Sequence, residues 1–209
     1  LLHHVGDEAG AWAEVEAALL LERRHPDALE ARAILRLARN KPAETRGALE
    51  DLRVALSAYG APPEGSRKWA EWMVNRAIVA LGAGEARAAR ADLAAAARAG
   101  SARAYEGLAL LESRRGRWAE AAELFEEALR LTGGGEESGD GEAGGGETDR
   151  SRDLWGRLLL GAGVSFLMER NLESALRRLD EAVVIRKDCS QTLFNRAVAR
   201  VVARQWDLA

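Results

Sequence analysis

A figure of two helical stretches joined by a short polar turn occurs twice in this chain, and that recurrence limits the fold more than any other feature. From Tyr105 to Leu131 the sequence reads YEGLALLESRRGRWAEAAELFEEALRL, broken at Arg115-Gly116-Arg117. In its second half Trp118, Ala121, Ala122, Phe125, Ala128 and Leu129 return at helical steps, with Glu120, Glu123, Glu126 and Glu127 mostly on the other side. That spacing draws one apolar stripe down a helix. The figure returns from Leu159 to Ile185, where Leu172, Ala175, Leu179 and Ala182 align with Trp118, Ala121, Phe125 and Ala128. Small residues let two helices of a pair approach closely, and large ones fill the gap to the next pair.

Weaker copies occupy the flanks. One spans Trp72 to Ala99, with Asn75, Ala77, Ala89, Leu93 and Ala96 in matching places. Another spans Leu29 to Leu56, with Ala48, Leu52 and Ala55 in its second helix. A further first helix starts at Gln191, carries Phe194, Asn195 and Ala197, and is expected to end at Gln205-Trp206-Asp207, where its second helix would begin. Ala11 to Arg24 reads as a lone helix closed by His25-Pro26, with His25 facing the last carbonyls. The break Gly60 to Gly65 reads as a loop between helices. From Gly133 to Thr148 the sequence is GGGEESGDGEAGGGET, without one large apolar residue, so it is expected to stay flexible. The expected organisation is a first part of the array over 1–132, a disordered acidic Gly-rich insertion over 133–150, and a continuation over 151–209.

These residues resemble the tetratricopeptide repeat, a helix–turn–helix unit with Trp, Leu-Gly and Tyr in its first helix and Ala, an aromatic and Ala in its second. Tyr105, Leu108, Gly116, Trp118, Ala121, Phe125 and Ala128 carry the likeness, as do Gly163, Phe166, Ala175, Leu179 and Ala182. Ala109 and Glu112 depart from the pattern, and the unit from Leu29 to Leu56 is poor in its first helix. The resemblance implies an all-α fold, a right-handed superhelical solenoid of antiparallel helix pairs interrupted by the Gly/Glu-rich segment. It implies a scaffold that holds a partner peptide or helix in a concave groove, and no catalysis. In that frame the inward positions include Asn75, Val79, Arg103, Arg157, Phe194 and Asn195. Chaperone-binding relatives hold a C-terminal carboxylate with basic and asparagine side chains from successive repeats. With Asn75 as the middle asparagine, Ala33, Leu37 and Gly107 fall where such side chains are needed, and only Arg103 fits. Chaperone-tail binding is therefore not expected.

Chemistry is not visible in the residues. His3, His4 and His25 have no metal-ligand partner at helical spacing, and no nucleophile elbow or phosphate-binding loop occurs. Neither a metal nor another cofactor is expected. Cys189 has no second cysteine to pair with; Arg186 and Lys187 nearby would lower its pKa. Six tryptophans stand at 12, 69, 72, 118, 155 and 206; Trp118 and Trp206 fall at the start of second helices, and Trp69 and Trp72 share one helical face.

Thirty basic residues against 33 acidic ones, and a pI near 5.8, give no pull toward nucleic acid or an anionic membrane. The expected partner is a protein or peptide, with no nucleic acid, no membrane and a cytoplasmic setting. Two other functions stand beside the scaffold. One is the recruiting arm of a multidomain enzyme whose catalytic part lies outside this segment. The other is a helical-repeat nucleic-acid binder.

Overall fold

The computed structural model describes residues 8–39, 41–58, 62–133 and 145–206. They form ten helices: α1 (Glu8–Leu21), α2 (Pro26–Ala38), α3 (Pro42–Ser57), α4 (Arg67–Gly82), α5 (Ala86–Arg98), α6 (Ala102–Arg114), α7 (Trp118–Leu131), α8 (Gly145–Met168), α9 (Leu172–Ile185) and α10 (Ser190–Trp206). No strand occurs among the described residues. The chain divides into two compact units, residues 1–100 with α1 to α5 and residues 101–209 with α6 to α10. Within each unit every helix packs chiefly on its neighbours in sequence.

In the first unit the helix starts are written locally. Pro26 and Pro42 stand at the first positions of α2 and α3, where the missing N–H costs nothing. The N–H of Trp69 donates to Ser66 Oγ at 3.2 Å and caps α4. His25 differs from the sequence expectation. It opens α2 instead of closing the helix before it: Ala28 N–H donates to His25 Nδ1 at 3.3 Å. Proline is as welcome at the start of a helix as beyond its end, and here the start wins. Nor does α1 stand alone. Its Leu19 is buried with Ala28, Leu29, Ala55 and Trp72. Ala33, Ala48, Leu52 and Val79 form a second cluster.

Two aspartates held by three arginines cross-brace this unit. Arg32 donates from Nε and Nη2 to Asp51 at 3.0 and 2.7 Å, and Arg36 Nη1 donates to the same carboxylate at 2.7 Å. Arg76 grips Asp92 in the same two-pronged way, at 2.7 and 2.6 Å. Asp51 and Asp92 are buried, so these pairs fix how α2 meets α3 and how α4 meets α5.

The second unit builds its core from Phe125 and Leu129 of α7, Leu158 and Leu159 of α8, and Leu179 and Ala182 of α9. Two glycines of α8 permit this packing. A Cβ on Gly161 would lie under 3.0 Å from ring carbons of Phe125, and one on Gly163 would meet the Leu179 side chain just as closely. The turn between α6 and α7 passes through Gly116 at φ 74°, and the turn between α8 and α9 through Arg170 at φ 65°. Glycine accepts that left-handed backbone freely and arginine does not.

Two sequence expectations change here. The insertion expected over 133–150 is only partly open to view, because residues 134–144 lie outside the described residues. Its last residues already belong to α8, which begins at Gly145. Once the apolar turns from Leu154 onward are helical, each residue added in front costs little, so the helix extends into the polar stretch. The second change is α10, which runs unbroken through Trp206. Ala203-Arg204-Gln205 supplies no glycine for a left-handed turn at the place where a break was expected.

Candidate partner-binding faces

The first helix of each pair carries a polar stripe, and in both units side chains reach between successive stripes. In the first unit the stripe on α2 holds Asp27, Glu30 and Ile34, and that on α4 holds Lys68, Glu71, Asn75 and Ile78. Lys68 Nζ donates to Asp27 at 2.6 Å, and Asn75 Nδ2 donates to Glu30 Oε1 at 3.0 Å. Ile34 and Ile78 follow one turn further on and stay exposed. Below them lies Trp72, buried, with Lys68 Nζ 5.4 Å from its ring centre.

Glu30 is half-buried, and burial pushes its carboxyl above the ordinary value of 4.5. Hydrogen bonds from Asn75 and Trp72 pull the other way without winning. The sign follows. Below pH 4.5 the carboxyl is protonated in both folded and unfolded chains, and no penalty applies. As pH rises, the unfolded chain ionises first, so stability falls until the folded-state carboxyl has ionised too. Glu30→Gln is therefore expected to melt higher than the parent chain at pH 7 and equal to it near pH 4. Thermal unfolding followed by circular dichroism across that range checks this; a lower melting temperature at pH 7 would contradict it.

In the second unit the stripe on α6 holds Arg103, Glu106 and Leu110, and that on α8 holds Asp153, Arg157 and Met168. Arg157 Nε donates to Glu106 at 2.9 Å, Nη2 to the same carboxylate at 3.2 Å, and Nη1 to Asp153 at 2.5 Å. This grip holds the Arg157 guanidinium above its usual pKa, chiefly through the hydrogen bond with Glu106.

The six positions expected to face a partner thus have different fates. Val79 is a correction. It is 0% exposed among Ala33, Ala48 and Leu52, because its step on α4 points between the helices and not along the stripe. Asn75 and Arg157 lie on the stripes but are engaged by Glu30 and Glu106. Asn195 is half-buried, and its Nδ2 donates to the Gln191 carbonyl of its own helix at 2.8 Å. Arg103 is exposed, and Phe194 is 66% exposed on α10. Sequence reasoning missed Glu30 and Glu106. Their signal was a carboxylate on one first helix and a donor on the next, 45 and 51 residues away, a separation that no local period displays.

Of the other aromatic residues, Trp69 and Trp118 are half-buried, and Trp155 packs against the core of the second unit. Cys189 is partly exposed just before α10, and hydrogen bonding from Thr192 lowers its thiol pKa. Among the described residues no group of His, Cys, Asp and Glu side chains is placed to hold a metal ion, and no helix is long and apolar enough to cross a membrane.

No protein-family model matches the sequence, and no curated protein is significantly similar to it. Solved structures are similar in fold. BtubC (BKLC) from P. vanneervenii superposes with a TM-score of 0.67 at 19% identity, covering 87% of this chain and 74% of that one. MamA gives a TM-score of 0.62 at 17% identity, covering 87% and 90%. YrrB, a TPR protein with an unusual peptide-binding site, gives 0.59 at 18% identity, covering 94% and 87%. At such identities the likeness speaks for the backbone alone, and it agrees with the helix pairs and capped turns described above: this chain has the all-α, helix-pair fold of the tetratricopeptide-repeat type.

Proposed function

We propose that the chain is a protein-interaction scaffold that holds a peptide or helix of a partner protein along the stripes of its first helices. One observation carries this reading. Among the described residues, large apolar side chains that stay exposed are unevenly shared. Ile34, Ile78, Leu110, Met168, Leu193, Phe194 and Val201 belong to the first helices α2, α4, α6, α8 and α10, the second helices contribute Leu131 and Val184, and the leading helix α1 adds Leu20 and Leu21 at its end. Exposed apolar residues interleaved with charged rungs suit a surface that buries a helix or strand of another protein and orients it by hydrogen bonds. YrrB, a TPR protein of similar fold with an unusual peptide-binding site, lends support to a peptide partner.

A photo-crosslinking side chain installed at Ile78 or Leu110 in the native cells is expected to capture a defined set of proteins. The same group at Arg177, exposed on the second helix α9, is expected to capture none of them. Equal capture from Arg177, or no capture at Ile78 and Leu110, would remove the first-helix faces from consideration.

A further inference from the structure

We propose that the groove between α7 and α8 is a second docking surface, taken by a basic segment of a partner protein that sets an arginine or lysine side chain between Glu123 and Glu169. The groove is an open depression of about 580 Å³. It is lined by the apolar Ala119, Ala122 and Phe166 together with Glu123, Glu126, Glu127, Glu169 and Arg130. On α8, Phe166 lies about half a helical turn round from Arg157, so this surface is separate from the first-helix stripe.

The charges of the groove do not cancel. Glu126 accepts from Arg178 Nε and Nη2 at 2.7 and 2.5 Å, and Glu127 accepts from Arg130 Nε and Nη2 at 2.8 and 2.5 Å. Both arginines are thereby committed. Glu123 and Glu169 are exposed and have no ion-pair partner among the described residues. Two unneutralised carboxylates beside an apolar lining disfavour an anionic ligand and leave a purely apolar one without polar contacts. An arginine or lysine satisfies both features at once. Its aliphatic stem covers the alanines and Phe166, and its cationic head reaches the carboxylates. The occupant is therefore a basic stretch of protein, drawn to a site that is negative where the chain as a whole is nearly balanced.

The probe is a fluorescein-labelled heptapeptide with two arginines separated by one alanine, followed by fluorescence anisotropy at low and physiological salt. Saturable binding is expected, with a dissociation constant of about 10–300 μM. Glu123→Gln with Glu169→Gln is expected to weaken it about tenfold or more, with unchanged helicity by circular dichroism. Glu14→Gln with Glu64→Gln removes the same charge at exposed sites outside the groove and is expected to leave affinity within about twofold. Equal loss in both double variants would overturn the proposal in favour of diffuse attraction, as would the lack of saturable binding below about 1 mM. Loss on Ile78→Asp with Leu110→Asp, but not on the groove variant, would move the peptide to the first-helix faces. That last result would leave the scaffold reading standing while this groove falls.

Discussion

Asp51→Ala is expected to destabilise the first unit by about 3–5 kcal/mol. The carboxylate is only 6% exposed and holds both Arg32 and Arg36, themselves 20% and 22% exposed. Alanine removes the nearest and most buried carboxylate from two half-buried guanidinium charges, leaving Arg32 with Glu16 at 3.3 Å and Arg36 with Glu44 at 3.6 Å. For a unit of this size such a loss lowers the melting temperature by more than about 12 °C. The cause can be separated from lost packing. Asp51→Leu combined with Arg32→Met and Arg36→Met removes all three charges while keeping volume, and it is expected to recover much of the stability. If that triple variant melts no higher than Asp51→Ala, the aspartate acts through its shape and not through charge.

Phe125→Ala is expected to cost the second unit about 3–5 kcal/mol. The ring is 2% exposed and lies against α8 at Gly161, where no side chain of that residue is present to fill the space. The same contact predicts a loss from the other side. Gly161→Ala pushes a methyl into the ring, at about 1–3 kcal/mol. The two faults are coupled. Phe125→Leu withdraws the ring, so Gly161→Ala in that background is expected to cost less than in the parent chain. A double-mutant cycle from chemical denaturation measures this, and strict additivity would show that the ring and the glycine do not share the strain.

Much of this fold is legible in the sequence because its rules are local. The run Trp118, Ala121, Phe125, Ala128 reads as a buried stripe; Ala121, Phe125 and Ala128 are buried on α7, and Trp118 at its start is half-buried. Gly163 belongs to the repeat pattern read from the sequence, and a Cβ there would lie under 3.0 Å from the Leu179 side chain. What escapes is of two kinds. His25-Pro26 is ambiguous in principle, since the same dipeptide closes one helix or opens the next, and only the packing of α1 against α2 settles it. The charged braces escape for another reason. Arg32 with Asp51, Arg76 with Asp92 and Glu106 with Arg157 join helices whose register is set by packing, so nothing in a window of one helix distinguishes them from solvated charges. Val79 shows the reverse error. A repeat frame carried over from a family places it on the stripe, and a shift of one residue around α4 moves it into the core.

The left-handed turns bear on how a chain of this kind keeps count. Gly84 and Gly116 sit inside pairs and Gly100 and Gly133 between them, each with no atom outside its own turn within 4 Å of where a side chain would start. Material can enter the chain at such a corner without displacing any helix. In the sequence, the stretch after Gly133 stands between α7 and α8, as Gly100 and Ser101 stand between α5 and α6. A ruler of fixed length laid along the sequence falls out of step across that corner. One that restarts at each left-handed residue stays in step from α3 to α9, and over that stretch the count of helices does not depend on the length of the chain.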